Sequence, residues 1–177
     1  MAMPSALRRP PPRLKSPAAT AALSPAEAEE FYGTVVDARG RTISDILRWI
    51  AAGYRDGTPN GIRMDPESGL VWSPAHFTWM DTNYPAGTPR QGYPVEIQVL
   101  WIRLLRQVAR LGRGPVVEPW TTLAAKALEA FERLFWREEG GWFADVLLAE
   151  PNEPAARAVP DSALRSNCLF AVSLGLA

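Results

Sequence analysis

Apolar residues return at helical spacing in several stretches of the chain, each bounded by residues that start or stop helices. Ile43, Ile46, Leu47, Ile50, Ala51 and Tyr54 form the first series. Thr42 and Asp45 have the spacing of a capping box, with Asp in place of the usual Glu, so a helix is predicted over about 42–55. Asp56-Gly57-Thr58-Pro59-Asn60-Gly61 stops it. The second series runs from Val95 through Val99, Ile102, Leu105 and Val108 to Leu111, between Pro94 and Gly112. Its apolar surface is broad, which predicts a helix packed on two sides with Arg103, Arg106, Gln107 and Arg110 as its solvent strip. Leu123, Ala124, Ala127, Leu128, Phe131, Leu134 and Phe135 mark a third helix, for which Thr121 or Thr122 is the expected cap. A last helical run is predicted from Ala163 to Leu176, introduced by Pro160-Asp161-Ser162.

Between these helices the pattern is shorter and more turn-rich. GIRMDPESGLVWSP has two apolar pieces around Asp65-Pro66-Glu67-Ser68-Gly69 and reads as an irregular hairpin, its carboxylates serving the turn. Gly141 to Leu148 reads as a short extended piece presenting aromatics, and 149–159 as a polar loop. Residues 76–98, HFTWMDTNYPAGTPRQGYPVEIQ, crowd rings, a carboxylate and turn formers together just before the second helix, as a binding cleft does.

Composition narrows the class. With 177 residues, 47% hydrophobic content and seven Trp, the chain can bury a core, whereas residues 1–26, rich in Pro, Ala and Arg, read as a flexible leader. Lys plus Arg equals Asp plus Glu at 19 each, so no net field draws the chain to nucleic acid or an anionic membrane. No apolar run approaches the roughly 20 residues of a membrane span, and the expected location is cytoplasmic. One cysteine, Cys168, and one histidine, His76, supply neither an internal disulfide nor, by themselves, a zinc site. Neither a GxGxxG nor a Walker-type GK[ST] motif occurs, so no cofactor is expected.

Spacing alone pairs Asp81 with Glu96 across the Pro/Gly loop, flanked by Trp79, Tyr84 and Tyr93. Glycoside hydrolysis needs one carboxylic acid to protonate the leaving oxygen and a second carboxylate to activate water or attack carbon. The plainer reading gives Asp81 a turn and makes Glu96 a first-turn residue that favours the helix dipole. Arg165 and Asn167 suit either sugar hydroxyls or a helix end. His76, beside Phe77 and without triad partners, is read as packed or hydrogen-bonded.

HFTWMDTNYPAGTPRQGYPVEIQVLWIRLL, with GIRMDPESGLV before it and GGWFADVLL and DSALRSNCLFAVSLGL after it, resembles the amylo-α-1,6-glucosidase domain of glycogen debranching enzymes. The resemblance implies an all-α (α/α)6 toroid, two concentric rings of helices, of which residues 27–177 supply only part. It implies inverting hydrolysis of α-1,6-linked glucose at branch points of glycogen-like α-glucans, with Asp81 as the general acid. Trp79, Arg90 and Glu96 match cleft or cleft-supporting positions, and Arg165 and Asn167 match a later motif approaching the same site. The family's general base lies downstream of the matched segments, so Glu96 does not inherit that role, and the chain is expected to be inactive alone. The remainder of the domain is then its expected partner. The alternative is a noncatalytic α-glucan-binding or interaction module, in which Trp79, Tyr84 and Trp142 stack on sugar rings.

Overall fold

Helix α3 (Val95–Leu111) is the element on which α2 (Ile43–Asp56), α4 (Glu118–Phe135) and α5 (Leu169–Ser173) pack, in a computed structural model that describes residues 24–79, 89–112 and 118–176. The broad apolar pattern of α3 accounts for this, since Val95, Val99, Ile102, Leu105 and Val108 are all buried. From the facing side α4 contributes Ala124, Ala127, Phe131 and Phe135, with Phe131 and Phe135 stacked at 4.9 Å. Gly112 follows α3 as predicted, and Arg48 of α2 donates to the carbonyl of Leu111 at 2.8 Å, satisfying a helix-end acceptor. Among the described residues no helix is long and apolar enough to cross a membrane.

Helix α2 begins as its sequence predicts. Thr42 accepts from the Asp45 N–H and Asp45 from the Thr42 N–H, a reciprocal pair that contributes on the order of 1 kcal/mol. The same device starts a helix that the apolar pattern does not predict, α1 (Pro25–Gly33), where Ser24 and Glu27 cap each other and Pro25 occupies the first turn. Ser24 to Ala26 thus open this helix rather than end a flexible leader, while residues 1–23 lie outside the described ones.

Three small antiparallel sheets complete the framework among the described residues. β1 (Arg63–Met64) pairs with β2 (Val71–Trp72), giving the predicted hairpin. Asp65 shapes its turn, accepting from the Glu67 N–H at 3.0 Å and the Ser68 hydroxyl at 2.6 Å. β3 (Gly92–Pro94) pairs with β6 (Val146–Leu148), which pairs in turn with β7 (Val159–Asp161). β4 (Trp136–Arg137) and β5 (Trp142–Phe143) form the third sheet. The segment 76–98 is thereby joined to the sheet at its C-terminal end, with a bridge from Gly92 back to Ser73.

Two predicted boundaries are corrected. Helix α4 starts at Glu118, so Thr121 and Thr122 lie inside it and neither is its cap. Pro119 suggests a loop in sequence, but the first helical turn has no use for the N–H that proline lacks. The run from Ala163 to Leu176 is helical only in a 3₁₀ turn, Ser166–Cys168, and the five residues of α5. Near the start of the run Arg165 is drawn into ion pairs with Asp145 and Asp161, and Gly175 at φ +68° follows the end of α5.

Candidate functional site

Arg90 lies at the centre of a buried polar network, and its sequence neighbours explain how it gets there. Gly92 and Pro94 carry the chain along β3 into α3, which places Glu96 in the first helical turn facing back toward Arg90. Arg90 donates from Nη1 to Glu96 Oε1 and from Nη2 to Glu96 Oε2, both at 2.6 Å, a bidentate pair with each side chain 1% exposed. Its Nε donates to Asp145 Oδ2 at 2.8 Å, and its Nη1 to the Thr78 hydroxyl at 2.9 Å. The Arg90 backbone is left-handed at φ +45°, a conformation costing about 1 kcal/mol or more for a residue with a Cβ, which these bonds offset.

Asp145 extends the network toward the late motif. Arg165 Nη1 donates to Asp145 Oδ2 at 2.9 Å and to Asp161 Oδ2 at 2.7 Å, and Asn167 Nδ2 donates to Asp145 Oδ1 at 2.8 Å. Arg165 keeps 30% of its side chain exposed, and its Nε and Nη2 meet no acceptor among the described residues. Asn167 is fully buried, yet its Oδ1 accepts no hydrogen bond among them. The four described polar residues named from sequence, Arg90, Glu96, Arg165 and Asn167, therefore meet in one place. Trp79, next to Thr78, presents a ring that is 64% exposed. Asp81 and Tyr84 lie outside the described residues.

The Asp161 carboxyl is held below its usual value of 3.8, chiefly by the Arg165 hydrogen bond and further by the Ala163 N–H, against the opposing effect of burial. A carboxyl with a depressed folded pKa adds stability above its unfolded pKa and loses it as pH falls through the folded one. Stability should therefore decline as pH drops below 3.8. Thermal melts across that range should show a shallower acid decline in Asp161→Asn.

Other expectations resolve differently. Tyr93, grouped by sequence with the cleft rings, is 1% exposed, and its hydroxyl donates to the Glu153 carbonyl at 2.7 Å, so it is a core residue. Trp142 is half-buried and donates to the Ser162 carbonyl. His76 is exposed rather than packed, at φ +62°, with its backbone N–H on the Pro89 carbonyl. Cys168 is buried, its thiol is pushed up by desolvation, and its Sγ donates to the Phe143 carbonyl, all of which oppose nucleophilic use.

Asp145 is the residue that sequence reasoning missed. Its signal was present: a lone carboxylate within the apolar run Trp142-Phe143-Ala144-Asp145-Val146-Leu147 needs a buried cationic partner.

A fold carried by helices, with an exposed tryptophan next in sequence to a member of a braced polar cluster, suits a carbohydrate-active protein, and comparison with known families gives the class as glycosidase. Residues 22–177 match the family model described as amylo-alpha-1,6-glucosidase, and the chain belongs to that family. No curated protein matches the chain.

Proposed function

We propose that this chain provides part of the (α/α)6 catalytic domain of a cytoplasmic debranching enzyme, which hydrolyses α-1,6-glucosidic branch points in glycogen-like α-glucans with inversion. Asp81 is the general acid, Trp79 the platform for a glucose ring, and Arg165 the donor nearest the sugar hydroxyls, with the buried Asn167 sharing its Asp145 partner. In the reaction the bond from the anomeric carbon to the branch oxygen breaks and Asp81 gives that oxygen its proton. Water bonds the anomeric carbon from the opposite face and yields a proton to a second carboxylate.

The observation that carries this reading is the meeting of Arg90, Glu96, Arg165 and Asn167 in one network, to which Thr78, the residue before the exposed Trp79, is bonded. Neither Glu96 nor Asp145 suits the second carboxylate. Both Glu96 oxygens accept from Arg90, Asp145 accepts from two arginines, and neither carboxylate is open to water.

The purified chain, titrated with a branched limit dextrin, is therefore expected to bind it without releasing glucose. Trp79→Ala should weaken binding about tenfold, the loss of one stacking ring in a small site. Absence of binding would end the glucan reading, and robust glucose release would return Glu96 to the role of base. Binding that survives Asp81→Asn, with no hydrolysis in any chain carrying the family's base, would favour a noncatalytic glucan-binding module.

A further inference from the structure

Asp145 differs from the other carboxylates of the cluster in what it joins. Among the described residues Glu96 accepts only from Arg90, and the Asp161 side chain only from Arg165 and the Ala163 N–H. Asp145 is shared by both arginines and Asn167, and it is 0% exposed. Its backbone is fixed as well. The N–H donates to the Asp161 carbonyl at 2.9 Å, and the carbonyl accepts from the Val95 N–H at 2.9 Å and from Arg90 Nη2 at 3.1 Å. Placed just ahead of β6, which is flanked by β3 and β7, this one residue is tied to the start of α3, to β7 and to the late motif.

We infer that Asp145 is the positioning residue of the glucan site, orienting Arg165 and Asn167 directly and Thr78 through Arg90, without touching sugar itself. The inference rests on the reading that Trp79 and Arg165 meet the glucan. Asp145 and Asp161 both hold Nη1 of Arg165, while its Nε and Nη2 meet no acceptor among the described residues and the side chain stays 30% exposed. A planar donor pair fixed in this way loses little conformational freedom when a sugar hydroxyl binds. The Arg90 bond to the Thr78 hydroxyl sets the backbone immediately before Trp79 by the same means. Neutralising Asp145 should then weaken binding largely through Arg165, and the two substitutions should not act independently.

The test uses the full 177-residue chain, a maltooligosaccharide bearing one α-1,6-linked glucose, calorimetry for affinity, and nitrogen-15 NMR of the arginine NηH2 signals. Asp145→Asn and Arg165→Ala are each expected to bind about tenfold more weakly, and the double variant to lose clearly less than the product of the two. Arg165→Lys keeps the charge on a partly exposed side chain and should fold like the wild type, yet bind as weakly as Arg165→Ala. Affinity losses that multiply, or wild-type affinity in Arg165→Lys, would overturn the inference. If the wild type binds no glucan, the functional reading fails, and NMR judges the positioning separately. Arg165 Nη1 protons that are slowed in exchange in the wild type and released in Asp145→Asn support it; ones unchanged by the substitution overturn it. Should Asp145→Asn not fold, wild-type Arg165 Nη1 protons exchanging like those of a free arginine overturn it equally, and slowed ones support it.

Discussion

Replacing Arg90 with methionine is expected to destabilise the fold by about 3–5 kcal/mol, the usual cost of removing one partner from a buried ion pair. Methionine fills much of the space but donates nothing. Asp145 would keep Arg165 and Asn167, whereas Glu96 has no other donor among the described residues and would stay 1% exposed with its charge unmet. Its least costly response is to take up a proton, since a neutral carboxyl costs far less to bury than a carboxylate. The sign of the pH dependence follows: the variant should be firmest in mild acid and weaken as pH rises through the carboxylate range. Urea titrations of Arg90→Met at several pH values would measure both effects. Adding Glu96→Gln should recover part of the loss and remove that pH dependence, since a neutral amide costs far less to bury than a carboxylate. A single variant as stable as the wild type at neutral pH would mean that the network contributes no net stability.

An effect of similar or larger size is expected from Gly92→Ala. A Cβ at this position would stand 2.1 Å from the Leu147 carbonyl oxygen and 2.7 Å from the Ala149 nitrogen. Both are backbone atoms of the neighbouring strand region, so no side-chain rotation can make room. The backbone at φ +126° also disfavours any residue with a Cβ. Gly92 exchanges hydrogen bonds with Ser73 on one side and pairs with Leu148 on the other, so any displacement disturbs both. A loss above roughly 4 kcal/mol is expected, in the range reached only by steric conflict, unpaired buried charge or comparable faults. Chemical denaturation would show it as a lowered midpoint. Glucan affinity, measured on whatever fraction remains folded, should fall too, because Arg90 is two residues away on the same segment.

The parts of the fold legible in sequence are those specified by neighbouring residues. The α2 capping box, the β1–β2 turn, and the Pro94 and Gly112 limits of α3 are all local chemistry, and each stands where the pattern puts it. Strand β7 reads as loop and helix lead-in because Pro160 argues against a strand, yet an edge strand tolerates a residue without an N–H. The site is legible in its membership more than in its arrangement. Arg90 comes from a family resemblance, which also gives Glu96, Arg165 and Asn167 a common site, while the pairing of Asp81 with Glu96 comes from spacing alone. Spacing cannot reveal that both Glu96 oxygens already serve Arg90. Asp145 is half-hidden for a related reason: the apolar run around it says that it needs a cationic partner, but not that the partner is an arginine 55 residues earlier.

That separation also sets an order of events during synthesis. Arg90 and Glu96 leave the ribosome almost together, but Asp145 follows Arg90 by 55 residues, which at about 5–20 residues per second is roughly 3–11 seconds. Throughout that interval α3 can form, while β3 lacks its β6 partner and the arginine has only one of its two carboxylates. The nascent chain thus carries an open strand edge beside an arginine still lacking acceptors for part of its guanidinium, a surface on which a chaperone can act until β6 arrives and closes it.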